Sequence, residues 1–578
     1  MEKGTRNGTV TDMDGNFSIA VSGSTATLVI SYVGYSPIEV KANGNLNIVL
    51  EEDSQLLDEV VVTGYTTQRK ADLTGAVSVM NMKNPISEAD PNMLSSMQGK
   101  LAGVQIVTDP SPGSSSSSVR IRGMSTVNGN DPLYIIDGVA TTENLNSLNP
   151  ADIESMQVLK DASSASIYGS RAANGVIIIT TKKGKGDRLS VSLNYTASVQ
   201  TIAKTYDVLN AQQWGEAYWT ASTNAGITPS HVFYGSGSTP QLVSYLDSDG
   251  LVKASDTDWQ DAVYRSAVTQ NFSASVSNSS DKGSVMFSAN YINQDGVMNY
   301  TYYRRYSVRL NSTYKISKYF GVGENLMVAK WNNLGYTTNT DRGISYSAMR
   351  QHPAIPVYDS NGDFTSPLEL VSSDIYNPVH ELYSGRDNDS ESWRIFGNAY
   401  LEIYPVKGLT LKSNIGIEHL QYYDTTLTRA IEESESNSVY NAYGQGDTWT
   451  WTNTANYNFN IGNHRVNVLA GTEATKYVYK DLSGTRKDYA FEDADYMVLD
   501  AGEGTQTNSG SKSEWALFSL FAKADYNYAD KYLFSATIRR DATSRLYSDN
   551  NSGVFPAFSA AWRISQEKFF RSPIRSVT

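Results

Sequence analysis

The chain has 578 residues, no cysteine, and a formal net charge of −13 from 60 acidic and 47 basic side chains. The acidic balance, with no basic stripe, argues against a nucleic-acid binder, and the lack of cysteine excludes a disulfide framework, thiol catalysis and a cysteine-ligated metal. No run of about 20 apolar residues occurs, which excludes a helical membrane span but not a β-barrel, whose strands alternate apolar and polar residues.

Residues 1–54 read as a small β domain. Strands are expected at Gly8 to Asp12, Phe17 to Val21, Thr27 to Tyr35 and Leu46 to Leu50, with a turn at Asp14-Gly15-Asn16. So few strands make a thin core, so further strands are expected ahead of them. Met1-Glu2-Lys3-Gly4 leads into this region with no apolar signal-peptide core.

Residues 55–70 change character. Leu57-Asp58-Glu59-Val60-Val61-Val62-Thr63-Gly64-Tyr65 is a short extended apolar run. It suits either strand addition to a partner's sheet edge or an ordinary strand of the same domain.

Residues 71–186 read as a mixed α/β unit. Leu94, Met97 and Leu101 share one face of a helix expected over 92–101. Strands are expected at Val119 to Ile121, Leu133 to Ile136, Met156 to Leu159 and Val176 to Thr181, with short helices at Ala151 to Ser155 and Ala162 to Tyr168. Asp137-Gly138 is a turn signal.

From 187 to 578 the period is two. Val191, Leu193, Tyr195, Ala197 and Val199 alternate with Ser192, Asn194, Thr196 and Ser198, and the pattern recurs. Twelve strands are expected near 191–199, 270–277, 283–292, 304–314, 319–330, 393–404, 408–418, 449–460, 464–474, 515–528, 531–541 and 556–564. Their links alternate short and long, as in a barrel with short periplasmic turns and long outer loops. The polar set, Arg305, Arg309, Arg394, Lys412, Glu418, Lys523, Asp525, Arg539 and Asp541, is expected to line the interior. Tyr302, Tyr303, Trp393, Tyr404, Trp449, Trp515, Tyr526 and Tyr528 suit interface belts. Trp214, Trp219, Tyr422 and Tyr423 in the expected long loops suit either substrate stacking or loop packing. Asp387-Asn388-Asp389 lacks a full calcium-loop pattern, and His231, His352, His380, His419 and His464 show no ligand spacing. No nucleophile elbow or metal motif is found, so neither a catalytic set nor a cofactor is expected.

These residues together resemble the SusC-like (RagA-like) branch of TonB-dependent outer-membrane transporters. Gly8-Thr9-Val10-Thr11-Asp12, Asp14-Gly15-Asn16-Phe17 and Ile30-Ser31-Tyr32-Val33-Gly34-Tyr35 resemble a carboxypeptidase-regulatory-like extension. Asp58, Glu59, Val60, Val61, Val62, Thr63, Gly64 and Tyr65 resemble the TonB box and its surroundings. The plug resemblance rests on Ser118 to Gly123, Pro132 to Val139, Val158 to Ala162 and Tyr168 to Ile177. A mid-barrel signature is matched by Asp541-Ala542-Thr543-Ser544-Arg545 and Phe555 to Trp562.

The resemblance implies an all-β-dominated fold: a 22-stranded transmembrane barrel, present here over about 12 strands, with an α/β plug and a small N-terminal β-sandwich-like domain. It implies boundaries of 1–54, 55–70, 71–186 and 187–578 for that domain, the box with its linker, the plug and the first part of the barrel. It also implies active import of a glycan or peptide through the outer membrane of a Gram-negative bacterium, in contact with its lipid. The implied partners are TonB, energised through ExbB and ExbD, and a SusD-like surface lipoprotein. Arg120, Arg122, Gly123, Asp137, Gly138, Lys160, Asp161, Tyr168, Gly169, Arg171 and Gly175 are marked as plug structural or gating residues. Their charged members suit either plug–barrel pairs broken in transport or static pairing. A surface adhesin without transport and a barrel hydrolase are the rival classes. The box and plug favour transport, and a hydrolase would need a defined nucleophile set.

Overall fold

The computed structural model describes the chain except residues 1, 4, 6, 13–14, 24–25, 32–37, 51–59, 83–91, 110, 114–116, 128, 336–342, 372–373, 432–434, 568 and 570–578. In the N-terminal region, β1 (Thr27–Ile30) pairs antiparallel with β2 (Ile38–Lys41). Gly8 to Asp12, Phe17 to Val21 and Leu46 to Leu50 are not strands among the described residues. Alternation alone does not make a strand where no neighbour supplies a hydrogen-bond ladder. Asp14 of the expected turn lies outside the described residues; on either side of it Asp12 Oδ1 accepts the Asn16 N–H at 2.8 Å.

The extended run becomes β3 (Val60–Thr63), paired antiparallel with β4 (Thr66–Arg69) through a two-residue turn at Gly64-Tyr65. Asp58 and Glu59 lie outside the described residues. The plug core is a five-stranded sheet in the order β5 (Val77–Asn81), β10 (Ile153–Leu159), β11 (Val176–Thr181), β8 (Leu133–Ile136), β9 (Val139–Thr141). Only β8 and β11 run parallel. A hairpin of β6 (Val104–Val107) and β7 (Ser118–Ile121) stands beside it. The helix expected over 92–101 is shorter, Met93–Met97, and is capped by the Asn92 side chain accepting the Leu94 N–H at 2.9 Å. Met93, Leu94, Met97 and Leu101 are buried in the plug core with Ile106, Ile136, Met156 and Ile177.

All twelve expected strands form, as one antiparallel meander with every neighbour consecutive in sequence. They are β12 (Ser190–Gln200), β13 (Ala267–Ser280), β14 (Gly283–Asp295), β15 (Tyr302–Lys315), β16 (Phe320–Leu334), β17 (Asp389–Ile403), β18 (Leu409–Thr428), β19 (Ser438–Ile461), β20 (His464–Lys487), β21 (Gln506–Tyr528), β22 (Tyr532–Thr543) and β23 (Ser552–Trp562). Among the described residues β12 and β23 do not pair, so the sheet is open rather than a closed barrel. The links at 281–282, 462–463 and 529–531 are short, and those at 201–266 and 335–388 are long. Strands β18 to β21 run well past their expected ends, so much of 419–448 and 475–514 is strand rather than loop.

The two faces follow the period. Arg305, Arg309, Arg394, Glu418, Arg539 and Asp541 point inward and are almost wholly buried. On the outer face the register sets Tyr195, Phe272, Tyr291 and Tyr306 in one row across β12 to β15. Three of the aromatic residues expected in the belts lie on the inner face instead: Tyr404, just past β17, whose hydroxyl donates to the inward Glu402 at 2.6 Å, and Tyr303 and Trp515 within their strands. Tyr303 is buried and donates to the Asn146 carbonyl at 3.2 Å, and Trp515 pairs in register with Tyr477 on the inner face. Each sits one residue out of phase with the outer set.

The links 201–266 and 335–388 together build a helical cap with its own core. Its helices are Ala211–Asn224, Trp259–Val263, Ile344–Arg350, Pro367–Val371 and Pro378–Ser384. Trp219, Phe233, Tyr234, Trp259, Val263, Ile344 and Leu382 are buried there. The imidazoles of His231 and His352, 121 residues apart in sequence, stack with centroids 5.7 Å apart. Each Nδ1 accepts a backbone N–H, from Phe233 at 3.2 Å and Ala354 at 3.1 Å, so a proton there would displace a hydrogen bond. Asp387 pairs with Arg429 at 2.5 Å and Asn388 accepts the Leu427 N–H at 2.7 Å, so these side chains hold strands together.

Burial, with His231 adjacent, lowers the His352 imidazole from its ordinary 6.5 to about 4. The unfolded cap therefore binds a proton that the folded cap refuses between those values. Its stability is full above pH 6.5 and falls as pH drops toward 4. Protection factors of Ile344–Arg350, which divide out the pH dependence of intrinsic amide exchange, should fall as pH drops across that window, and His352→Leu should flatten the dependence; wild-type protection factors that stay constant would contradict the neutral, buried ring.

Candidate functional site

The site forms where the β3–β4 hairpin, the plug and the inner wall of the sheet meet. Gly64 opens the hairpin turn at φ +71, and a Cβ there would lie 2.9 Å from Ile167. Glycine is therefore needed for both the turn and the close approach. Val61 is fully buried, and Val62 packs against a core that includes Ile167 and Tyr168. Tyr65 stacks on Phe521 of β21 with ring centroids 4.6 Å apart, and its hydroxyl donates to Glu473 of β20 at 2.6 Å. Burial and the Glu473 carboxylate push the Tyr65 phenol well above its ordinary range, so it stays a donor. The Tyr168 hydroxyl donates to the Gly64 carbonyl at 3.2 Å.

Glu473 is the centre of a buried ionic cluster. It receives Arg171 from the plug at 2.5 Å and Arg539 from β22 at 2.9 Å. Arg539 also binds Asp541 at 2.6 Å and donates to the Ile167 carbonyl at 2.7 Å. Asp541 accepts the Ser170 N–H and hydroxyl at 2.9 and 3.0 Å. Gly169 allows this approach: its φ is +65, and a Cβ would run into Asp541 and Arg539. Two carboxylates and two guanidiniums balance, as a buried cluster requires.

Below the hairpin, Gln68 donates to Asp525, and Arg69 pairs with Asp72 at 2.8 Å and Asp530 at 3.0 Å. Arg563 from the end of the sheet joins Asp72 at 2.8 Å. Burial raises the Asp72 carboxyl, but the Arg69 and Arg563 hydrogen bonds outweigh it and hold the group below its ordinary value.

The marked plug residues divide by role. Asp137 and Arg171 reach the wall: Asp137 lies 3.6 Å from Arg309 and accepts the Thr181 hydroxyl at 2.7 Å. Tyr168 and Gly169 shape the hairpin contact. Lys160 and Asp161 act within the plug, since Lys160 donates to Ser78 and Ala102, and Asp161 accepts the Ser164 N–H at 2.8 Å. Arg120 and Arg122 make no ion pair among the described residues, and Gly123, Gly138 and Gly175 sit at positive-φ turns. Trp219 is buried in the cap and donates to the Gly237 carbonyl at 3.0 Å, and Trp214 packs on Tyr218 and His352. Tyr422 points inward, and Tyr423, next in sequence, points out. Sequence reading missed Glu473 and Phe521. Their signal was phase: both share the inward parity of their strands.

Residues 69–176 match the TonB-dependent receptor plug domain, and residues 1–62 match the CarboxypepD_reg-like domain. The TonB-dependent receptor P39 of Formosa agariphila is 32% identical over 99% of this chain and 54% of its own length. The TonB-dependent receptor SusC of Bacteroides thetaiotaomicron is 30% identical over 98% of this chain and 57% of its own. The chain is related throughout its length to the SusC-like TonB-dependent receptors. It spans about half the length of these curated relatives. A RagAB peptide importer structure in the open-open state superposes with a TM-score of 0.78 at 26% identity, over 89% of this chain and 60% of that one. In this SusC-like chain the hairpin, plug and wall thus form one bonded unit.

Glu473→Ala would leave Arg171 and Arg539 buried and facing one another, at a cost of about 3–5 kcal/mol. Tyr65→Phe removes the hydrogen bond donated to Glu473 and the longer one accepted from Arg539, and should cost about 1–2 kcal/mol. Hydrogen exchange across Val60–Arg69 should rise sharply in the first variant and modestly in the second; unchanged exchange in Glu473→Ala would rule out anchoring of the hairpin through the Tyr65–Glu473 bond.

Proposed function

We propose that this chain supplies the coupling segment, the plug and the first strands of a TonB-dependent importer of oligosaccharides or peptides. In this reading residues 1–54 form the periplasmic extension, 55–70 the TonB box and linker, 71–186 the plug and 187–578 the wall of an outer-membrane barrel. The outer aromatic row and the polar inner face suit lipid outside and plug inside. Further strands, as the greater length of the relatives allows, would close the sheet. A SusD-like lipoprotein would cap the side carrying the long links.

The observation that carries the reading is the Tyr65–Glu473 bond. The residues that resemble the TonB box continue directly into a hairpin whose turn is bonded to the Glu473 cluster, and that cluster joins plug to wall. TonB would bind the segment around Asp58 to Thr63 by strand addition. A pull there loads the Tyr65 hydroxyl first, then the Arg171 and Arg539 pairs, and the plug loosens where it meets the wall. ExbB and ExbD would supply the energy. An adhesin would have no use for this linkage, and the function is transport rather than catalysis.

Deleting residues 58–64 in the full-length receptor should abolish energised uptake in cells while purified protein still binds substrate. Uptake that survives the deletion would defeat the TonB-coupled reading.

A further inference from the structure

A cation interrupts the apolar band on the outward face of the sheet. Arg539 takes the inward side of β22, so Arg540 takes the outward side, where it is exposed. Its register neighbours, Leu520 and Val554, are exposed apolar side chains. Among the described residues its guanidinium meets no carboxylate and donates to the Ser552 hydroxyl at 3.3 Å. Arg540 also borders an open groove of about 860 Å³. In the next row toward the short turns, Ala455, Ala470 and Ala522 stand side by side between Leu411 and Ile538. Large side chains on both flanks of small ones give the groove its walls and floor.

Strand length sets the height of each cation. β22 starts at Tyr532, beside the short link; at 3.3 Å per residue and a tilt of about 40°, Arg540 stands roughly 20 Å up an apolar band about 25 Å tall. Its long side chain reaches the outer edge of the band from there. Trp449, Trp451 and Phe518, half exposed on the same face, suit that edge. Beyond it, on the extensions of β20 and β21, Lys476, Lys480 and Lys512 are exposed. Lys476 is in register with Trp449, and Lys480 is directly opposite Lys512. Like charges so placed repel each other. The acidic side chains on this patch are Glu514, 4.0 Å from Lys476 and 3.5 Å from Lys512, and Asp447, which bonds His419 at 2.7 Å. Among the described residues Lys480 has no carboxylate within ion-pair distance, so the patch keeps an excess of positive charge.

We propose that the outward face of β18 to β22 seats one lipopolysaccharide molecule, with an acyl chain in the groove, phosphates at Arg540 and Lys476, and the anionic inner sugars against Lys480 and Lys512. The ligand class follows from charge and height together. Guanidinium and ammonium groups hold phosphate through charge-assisted hydrogen bonds. A bare cation on a lipid-facing wall is unfavourable, and a phosphate at the edge of the band removes that cost. A phospholipid headgroup layer is only about 5–8 Å thick. By the same strand rise Lys480 and Lys512 stand roughly 15 Å beyond the band. A lipid whose negative charge continues into a sugar core reaches them, and a phospholipid does not. A second copy of the chain, meeting this face about a two-fold axis, would bring the cations against one another. The inference rests on the outer-membrane reading of the wall, and not on TonB coupling or on the cargo.

The test is native mass spectrometry of the full-length receptor, purified from outer membranes in detergent and titrated with lipid A bearing two Kdo sugars. Phosphatidylglycerol and the same lipid A after enzymatic dephosphorylation are the comparison probes. The Kdo-bearing lipid A should bind in a one-to-one complex, and each comparison lipid should bind more weakly by roughly tenfold or more. Arg540→Gln, the double variant Lys480→Gln/Lys512→Gln, and Ala470→Phe, which fills the groove, should each weaken binding by a similar factor. Arg304→Gln, which removes an exposed cation of β15, should bind as wild type, and heat-modifiable gel mobility checks that every variant is folded. Folded Arg540→Gln and Lys480→Gln/Lys512→Gln receptors that bind at wild-type strength overturn the proposal. So does phosphatidylglycerol bound as tightly as the Kdo-bearing lipid A. Receptor recovered from the outer-membrane fraction that binds no lipid A overturns this inference alone. Receptor absent from that fraction overturns the outer-membrane reading with it.

Discussion

Buried guanidiniums dominate this structure. Arg305, Arg394 and Arg539 are the largest side chains with essentially no exposed surface, and all three stand on the inner face of the sheet. A buried cation without partners costs several kcal/mol, so something must meet them. The plug does so, largely through its backbone. Arg305 donates to the Asn146 and Leu148 carbonyls, Arg394 to the Asn144 carbonyl and Arg539 to the Ile167 carbonyl. Wall and plug therefore complete each other, and neither inner surface is satisfied alone.

That dependence explains how a small hairpin can bear on a large sheet. The hairpin touches the wall through Tyr65, Gln68 and Arg69, reaching β20, β21 and the turn that follows. One of these contacts, Tyr65 to Glu473, enters the same cluster that holds Arg539. Electrostatic bonds in a buried site are strong when paired and costly when half-broken, so loss of one partner is felt by the rest. The other plug–wall contacts, such as Arg394 with the Asn144 carbonyl and Arg309 with Asp137, lie on different strands and do not share atoms with this cluster. Loosening at the hairpin is thus local first.

The aromatic residues show how one chemical type serves three ends according to phase. Outward, Tyr195, Phe272, Tyr291 and Tyr306 form a row suited to an interface. In the cap, Trp214, Trp219 and Trp259 pack with histidine and tyrosine to give the long links a core of their own. Inward and above the plug, the Tyr422 and Tyr479 rings beside Gly444 and Gly446 remain half-buried. Composition could not separate these, because a tyrosine count carries no phase.

The twelve strands, the short turns and the inward set of charges were legible from the chain alone, because side-chain period two and link length are local properties. So was the burial of Leu94, Met97 and Leu101. The upward extension of β18 to β21 was not, since those polar segments are strands only because each has a neighbour to pair with. The N-terminal segments that alternate without such neighbours stayed irregular. Nor could sequence bring Tyr65 to Glu473, 408 residues on, or His231 to His352. The pattern along the chain determined which face each residue takes; only the tertiary structure decided which faces meet, because buried charges and rings choose partners by distance in space, on which sequence separation has no bearing.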